Sequence, residues 1–476
     1  MGAVTFILNF RPRFVIASRR RGNPGAARKS PRLWPLNCRV ASLLAMTSLA
    51  ACLWAAPANA VTIQRVTSPG GIEAWLVEQH TIPLIAMDFA FRGGAKLDPA
   101  GKVGLARLAS ATIDEGAGDL DSQAFQKRLE TLAIKLGFQT DQDAFHGALQ
   151  TLTENSGEAF ALTRLALTAP RFDAEPMTRI KAQLLAGLQQ AAEDPDAIAS
   201  KAWFKAAFPD HPYGRPSEGE AGDIEPISAD DLRQFTARQF TRDRLLIAVV
   251  GDIDAVRLGQ LLDATFGGLA KSSNGPDPAP VTPAVNKTIV IKRDIPQTVM
   301  MFGLPGLLRN DPDFIPATVM NYILGSGGFN SRLMVEIREK RGLAYSVYTH
   351  LAPLAQTGLF FGSVATQNDR ANETVALLRH ELARMRDEGV TPEELEDAKT
   401  YLTGSYPLRF DSNAKIAEQL LGLQLENIGI DYIDRRNDLV RAVTREDVNR
   451  TARQLLNPDN LLLVSVGQPN GTSPVK

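Results

Sequence analysis

The sequence predicts an α+β fold of two homologous lobes, each a mainly antiparallel sheet with helices packed on one face, the two closing as a clamshell. Residues 228–251 (SADDLRQFTARQFTRDRLLIAVVG) lie over 444–467 (TREDVNRTARQLLNPDNLLLVSVG) without a gap at an offset of 216, the mark of an internal duplication. Lys271–Pro283 holds four prolines, a glycine and two serines with no apolar periodicity, as a linker does. Helical and strand patterns alternate on both sides of it.

Residues 1–60 read as an address. They carry nine basic residues and no acidic one, and they end in the apolar run Val40–Ala56 and the small-residue site Pro57-Ala58-Asn59-Ala60. That is the layout of a secretory signal cut after Ala60. Leu49-Ala50-Ala51-Cys52 also fits bacterial lipoprotein processing, which would leave a lipid-anchored Cys52. The expectation is an exported, periplasmic protein, held to a membrane only if Cys52 is lipidated. The whole chain balances at −1, but the 416 residues after the leader hold 43 basic against 53 acidic, or −10. No basic stripe remains for nucleic acid. Hydrophobic residues at 44% and charged residues at 22% exclude a disordered chain and a polytopic membrane protein. Cys38 and Cys52 are the only cysteines, so thiolate chemistry and disulfides are excluded from a chain cut after Ala60.

The first domain is expected over 61–270. Ile85–Phe91 reads as its entering strand, closing on glycine. Asp121-Ser122 starts a helix whose Phe125, Leu129, Leu132 and Leu136 repeat at helical spacing until Gly137. Ser228 with Asp231 begins a capped helix, and Leu245–Val250 is a buried strand ending at Gly251. After the linker, 271–285, the second domain spans 286–476. Val299–Leu304 is its entering strand, and Thr444, Asp447 and Leu461–Val466 repeat the cap, helix and strand of the first half.

Chemistry is sparse. The five histidines, His80, His146, His211, His350 and His380, never stand three or four residues apart, so no helix face offers two imidazoles to a metal. His146 fits a polar strand face, and His211 in His211-Pro212-Tyr213-Gly214 orders a turn. No G-x-S-x-G elbow and no phosphate loop occurs. Leu324–His350 is the most informative stretch. Gly325, Gly327 and Gly328 form a flexible turn, and Phe329, Leu333, Met334 and Ile337 a helical stripe that stops at Gly342. A strand then begins near Tyr345. Arg338 in the last helical turn and Tyr345 in the strand are two donors that a tight junction can bring together, suited to a carbonyl or a developing oxyanion. The bland alternative is that Arg338 complements the helix dipole and Tyr345 packs in the core.

The order of Phe91-Arg92-Gly93-Gly94, Gly104-Leu105-Ala106, His211-Pro212-Tyr213-Gly214, Val249-Val250-Gly251-Asp252, Gly327-Gly328-Phe329-x-Ser331-Arg332-Leu333, Arg338-Glu339 and Gly342-Leu343-Ala344-Tyr345 resembles the pitrilysin/insulinase family of inverted zinc metallopeptidases. In that family H-x-x-E-H follows the G-L-A element, its histidines binding zinc and its Glu acting as base. The matching positions here are Arg107, Ser110 and Ala111, and a third ligand, a Glu, would fall near Ala186–Leu188. The resemblance therefore implies no metal in this chain. Arg338 and Tyr345 match the family's Arg/Tyr pair, which binds the substrate carbonyl, and Gly325, Gly327 and Gly328 would form a loop at the substrate cleft. The resemblance implies a non-zinc subunit that lends this pair to a homologous H-x-x-E-H partner, with zinc in that partner and an unstructured peptide as substrate. A structural or peptide-binding module without chemistry is the alternative, and a self-sufficient hydrolase the least supported.

Overall fold

Two apolar runs too continuous for half-exposed strands, LIAMDFAF and TVMMFGL, form the middle strands of two sheets buried on both faces,. The computed structural model describes residues 62–272 and 275–469, so the leader, Cys38, Cys52 and the cut after Ala60 lie outside the described residues. The first half runs β1 (Gln64–Thr67), β2 (Glu73–Glu78), β3 (Leu84–Arg92), α1 (Leu105–Thr112), α2 (Ser122–Thr131), β4 (Lys135–Thr140), β5 (Ala144–Leu152), α3 (Ser156–Thr168), α4 (Ala174–Ala191), α5 (Pro195–Ala207), α6 (Ala221–Ile224), α7 (Ala229–Gln239), β6 (Leu245–Gly251) and α8 (Ala255–Phe266). The second runs β7 (Lys287–Lys292), β8 (Gln297–Pro305), α9 (Phe314–Asn321), β9 (Ala344–Pro353), β10 (Gly358–Gln367), α10 (Ala371–Asp387), α11 (Pro392–Gly404), α12 (Asn413–Leu425), α13 (Tyr432–Ala442), α14 (Arg445–Leu455) and β11 (Leu462–Gly467).

The sheets have orders β1-β2-β6-β3-β5-β4 and β7-β11-β8-β10-β9. Strand β6 is parallel to β2 and antiparallel to β3, and β11 stands the same way to β7 and β8. The duplication extends to single atoms. Ser228 and Thr444 each accept the N–H three residues on, while Asp231 and Asp447 accept the N–H of the cap residue, closing two capping boxes. Gly251 and Gly467 both adopt left-handed φ, 149° and 145°, and a Cβ on either would strike the backbone at the start of β3 or β8.

Helix α2 ends earlier than expected. Asp121 caps it, but Ala133 turns left-handed at φ 51°, and the N–H groups of Ala133 and Ile134 bond back to Glu130 and Leu129. Leu136 and Gly137 consequently belong to β4. Leu132 and Leu136 still pack on the same core, so their spacing recorded burial rather than a continuous helix.

Each half packs its own helices on one face of its sheet. In β3 the odd residues Ile85, Met87, Phe89 and Phe91 face them, and in β8 the even residues Met300, Phe302 and Leu304 do. The opposite faces are covered by exchange: α12 of the second half lies on β3 and β6, and α5 of the first lies on β8 and β11. Trp203 on α5 packs among Val299, Met301, Phe361 and Val464 and donates its indole N–H to Leu462 O at 3.1 Å. A Cβ at Gly303 would collide with that indole. In the other direction Arg92 donates to the carbonyls of Gln424 and Leu425 at the end of α12, satisfying helix C-terminal acceptors.

A polar clasp joins the halves at the β9–β10 turn. The Lys96 ammonium, buried with its side chain 2% exposed, pairs with Asp143 at 2.9 Å. The Tyr213 hydroxyl donates to the same carboxylate at 2.6 Å, and Asp143 and Tyr213 accept the N–H groups of Ala355 and Gln356. His211 accepts the Tyr213 N–H on Nδ1 and donates from Nε2 to Ala279 O, so its ring orders the turn and ties down the proline-rich segment. No helix among the described residues is long and apolar enough to cross a membrane.

Candidate functional site

The site grows from the chain between α9 and β9. Helix α9 widens into a π-helical turn at Tyr322–Ser326, followed by a 3₁₀ turn at Gly328–Asn330 and a second π-helical stretch at Met334–Glu339. Such i→i−5 winding is rare and favours functional sites. Here it is visible in the bonds from Gly327 N–H to Tyr322 O and from Lys340 N–H to Val335 O. Gly325 lies inside the first π turn, where a Cβ would strike Thr349 on β9, and Gly328 takes φ 65°. The glycines thus serve close packing and one left-handed turn.

The expected apolar stripe holds only in part. Leu333, Met334 and Ile337 are buried, but Phe329 sits in the 3₁₀ turn and is 61% exposed. The interposed turn moves it out of phase with the helix. Gly342 at φ 59° ends the helix as expected, and Tyr345 is the second residue of β9, 67% exposed. It therefore does not pack in the core.

Arg338 and Tyr345 do meet, ring to cation. The Arg338 guanidinium carbon lies 5.5 Å from the Tyr345 ring centroid and 4.7 Å from that of Phe329, within cation–π range. Among the described residues its N–H groups have no hydrogen-bond or ion-pair partner. The other basic side chains of the segment are engaged. Lys340 and Arg341 bind Glu336, both at 2.7 Å, and these bonds, Lys340 first, hold the Glu336 carboxyl below the usual carboxylate range. Arg332 forks onto Glu394 at 2.6 and 2.7 Å. One unpaired planar cation with an exposed phenol beside it is a fit for a carbonyl oxygen. Phe329 and Glu336 were missed from sequence; an aromatic directly after Gly-Gly was the available signal for the first.

The zinc-motif positions lie on α1. Asp98 caps that helix by accepting the N–H groups of Gly104 and Ala106, and burial pushes its carboxyl up to about 7. Ser110 is 2% exposed and donates to Arg107 O in its own helix, and Arg107 and Ala111 are half-buried. Helix α4, which carries Ala186–Leu188, packs on α1. The two helices face each other, yet neither brings an imidazole or carboxylate at those positions, and a cationic Arg107 opposes a cation. These residues do not fit zinc. Among the described residues no group of three or more His, Cys, Asp or Glu could hold a metal ion. No hydrogen bond, ion pair or ring contact among the described residues joins Arg107, Ser110 or Ala111 to Arg338 or Tyr345.

The family model of the peptidase M16 inactive domain matches residues 226–402. A protein of Helicobacter pylori named "Non-peptidase homolog YmxG" is 30% identical over 353 residues, covering 74% of this chain and 81% of its own. The "Uncharacterized zinc protease YmxG" of Bacillus subtilis is 25% identical, covering 87% of this chain and all of its own. A crystal structure of a peptidase M16 inactive domain from Pseudomonas fluorescens superposes with a TM-score of 0.81 at 30% identity, covering 87% of this chain and all of its own. With its two duplicated halves and a zinc motif replaced at every matched position, the chain belongs to the peptidase M16 family, the pitrilysin/insulinase family its motifs resemble, as a peptidase-like member.

Proposed function

We propose that the chain is the non-zinc subunit of a heteromeric zinc metallopeptidase acting on unstructured peptides, and that it lends Arg338 and Tyr345 to a site whose zinc and Glu base come from a homologous H-x-x-E-H chain. The observation that carries this reading is the unpaired Arg338 guanidinium resting against the exposed Tyr345 ring in a chain whose α1 offers no metal ligand. Both groups donate hydrogen bonds. As a peptide carbonyl becomes tetrahedral its oxygen gains charge, and preplaced donors stabilise that state more than the ground state. Zinc in the partner would activate the attacking water; this chain binds and orients the carbonyl. The basic leader with its apolar run and small-residue site supports a periplasmic complex, tethered to a membrane if Cys52 is lipidated,.

The test is peptide hydrolysis by the chain co-purified with its zinc-motif partner. Arg338→Ala and Tyr345→Phe each lower turnover, by on the order of 10²–10³ if the loss matches that of other oxyanion donors, while the complex still assembles. Unchanged hydrolysis in both variants removes the oxyanion role and favours a structural, peptide-binding module, as the word "non-peptidase" in the Helicobacter relative's name suggests for that protein.

A further inference from the structure

A cation that must donate to a substrate poses a positioning problem. A carboxylate would hold it still but would occupy the N–H groups the substrate needs. Glu336 does this to Lys340 and Arg341, and Glu394 to Arg332. An aromatic face holds a guanidinium through its quadrupole and leaves the five in-plane N–H groups free. Arg338 is held in this second way, by two rings and by no acid among the described residues.

The nearer ring is Phe329, and its placement is built rather than incidental. An exposed phenylalanine at the surface loses the stabilisation of burial, and this one stands beside a helix that buries its other large apolar residues, Leu333, Met334 and Ile337. Its turn is braced at both ends. Gly327 N–H bonds to Tyr322 O, and both the N–H and the hydroxyl of Ser331 donate to Gly328 O. The backbone thus carries the ring to the guanidinium.

We propose that Phe329 is a positioning residue for Arg338, its ring forming with Tyr345 an aromatic seat that fixes the guanidinium while leaving its donors to the substrate carbonyl. The inference rests on the reading of Arg338 given above and adds a third residue to that site. It makes the aromatic character of position 329, rather than its bulk, the required property.

Two measurements on the full chain test it. In the complex with the zinc-motif partner, Phe329→Leu lowers kcat/KM for an unstructured peptide about 2–5-fold, the size of an exposed cation–π contact. Phe329→Tyr recovers most of that loss, and Phe329→Leu adds nothing in an Arg338→Ala background. In ¹⁵N-arginine-labelled chain, the Arg338 Nε–H resonance carries a ring-current shift that Phe329→Leu removes and Phe329→Tyr retains. An equal loss from Phe329→Leu with and without Arg338, or a resonance indifferent to position 329, overturns the proposal. Should Arg338→Ala leave hydrolysis unchanged, the functional reading falls and takes the catalytic half of this inference with it, while the resonance still decides whether the ring holds the guanidinium.

Discussion

Glu336 controls the charge around Arg338. Its side chain is 10% exposed and draws Lys340 and Arg341 into one cluster, with Arg384 at 3.8 Å, so that among the basic residues of that stretch Arg338 alone has no acidic partner among the described residues. The folded carboxyl titrates below its unfolded value. Its stabilisation is therefore present above the ordinary carboxylate range and is lost as pH falls through the depressed folded value. Glu336→Gln costs about 1–3 kcal/mol at neutral pH, as loss of charged hydrogen bonds does. The gap from wild type narrows in urea unfolding at about pH 3, below the ordinary Glu pKa. Arg338 and Tyr345 were legible from residue type and spacing because a helix that ends at Gly342 fixes what lies just before and after it. Phe329 was not, because a three-residue 3₁₀ turn and π winding change the helical phase without changing the pattern of apolar residues.

Helix ends divide into those with a chemical signal and those without. Both capping boxes were legible because Ser or Thr with Asp three residues on is itself the bonding pattern. The Lys102 ammonium from outside the box, ahead of the Ser228 bonds within it, holds the Asp231 carboxyl at about 2, and the Thr444 and Arg450 bonds do the same for Asp447. The end of α2 carried no signal, because Ala133 rather than glycine takes the left-handed turn. An L-residue there has its Cβ too close to the following carbonyl. Ala133→Gly removes that strain and raises stability by about 1 kcal/mol, read as a higher thermal midpoint. A lower midpoint would mean that the Ala133 side chain contributes more by packing than it costs in strain.

Across the whole molecule, duplication was legible and exchange was not. The gap-free match between 228–251 and 444–467 identified equivalent strands, and β6 and β11 take equivalent places in their sheets. Nothing in the sequences of α5 and α12 says which sheet each covers, because an apolar face suits either. Only tertiary structure shows Trp203 on β11 and Arg92 at the end of α12. Residues from Ile63 onward belong to one compact unit, and each half supplies a covering helix for the other. Completion of a partner's active site by this scaffold is tested by cleavage of an unstructured peptide as the chain is titrated into its zinc-motif homologue. Either chain alone is then silent, and the rate rises to saturation as they combine. Cleavage by the isolated chain with stoichiometric zinc, or a partner that works equally well without it, would rule out that role.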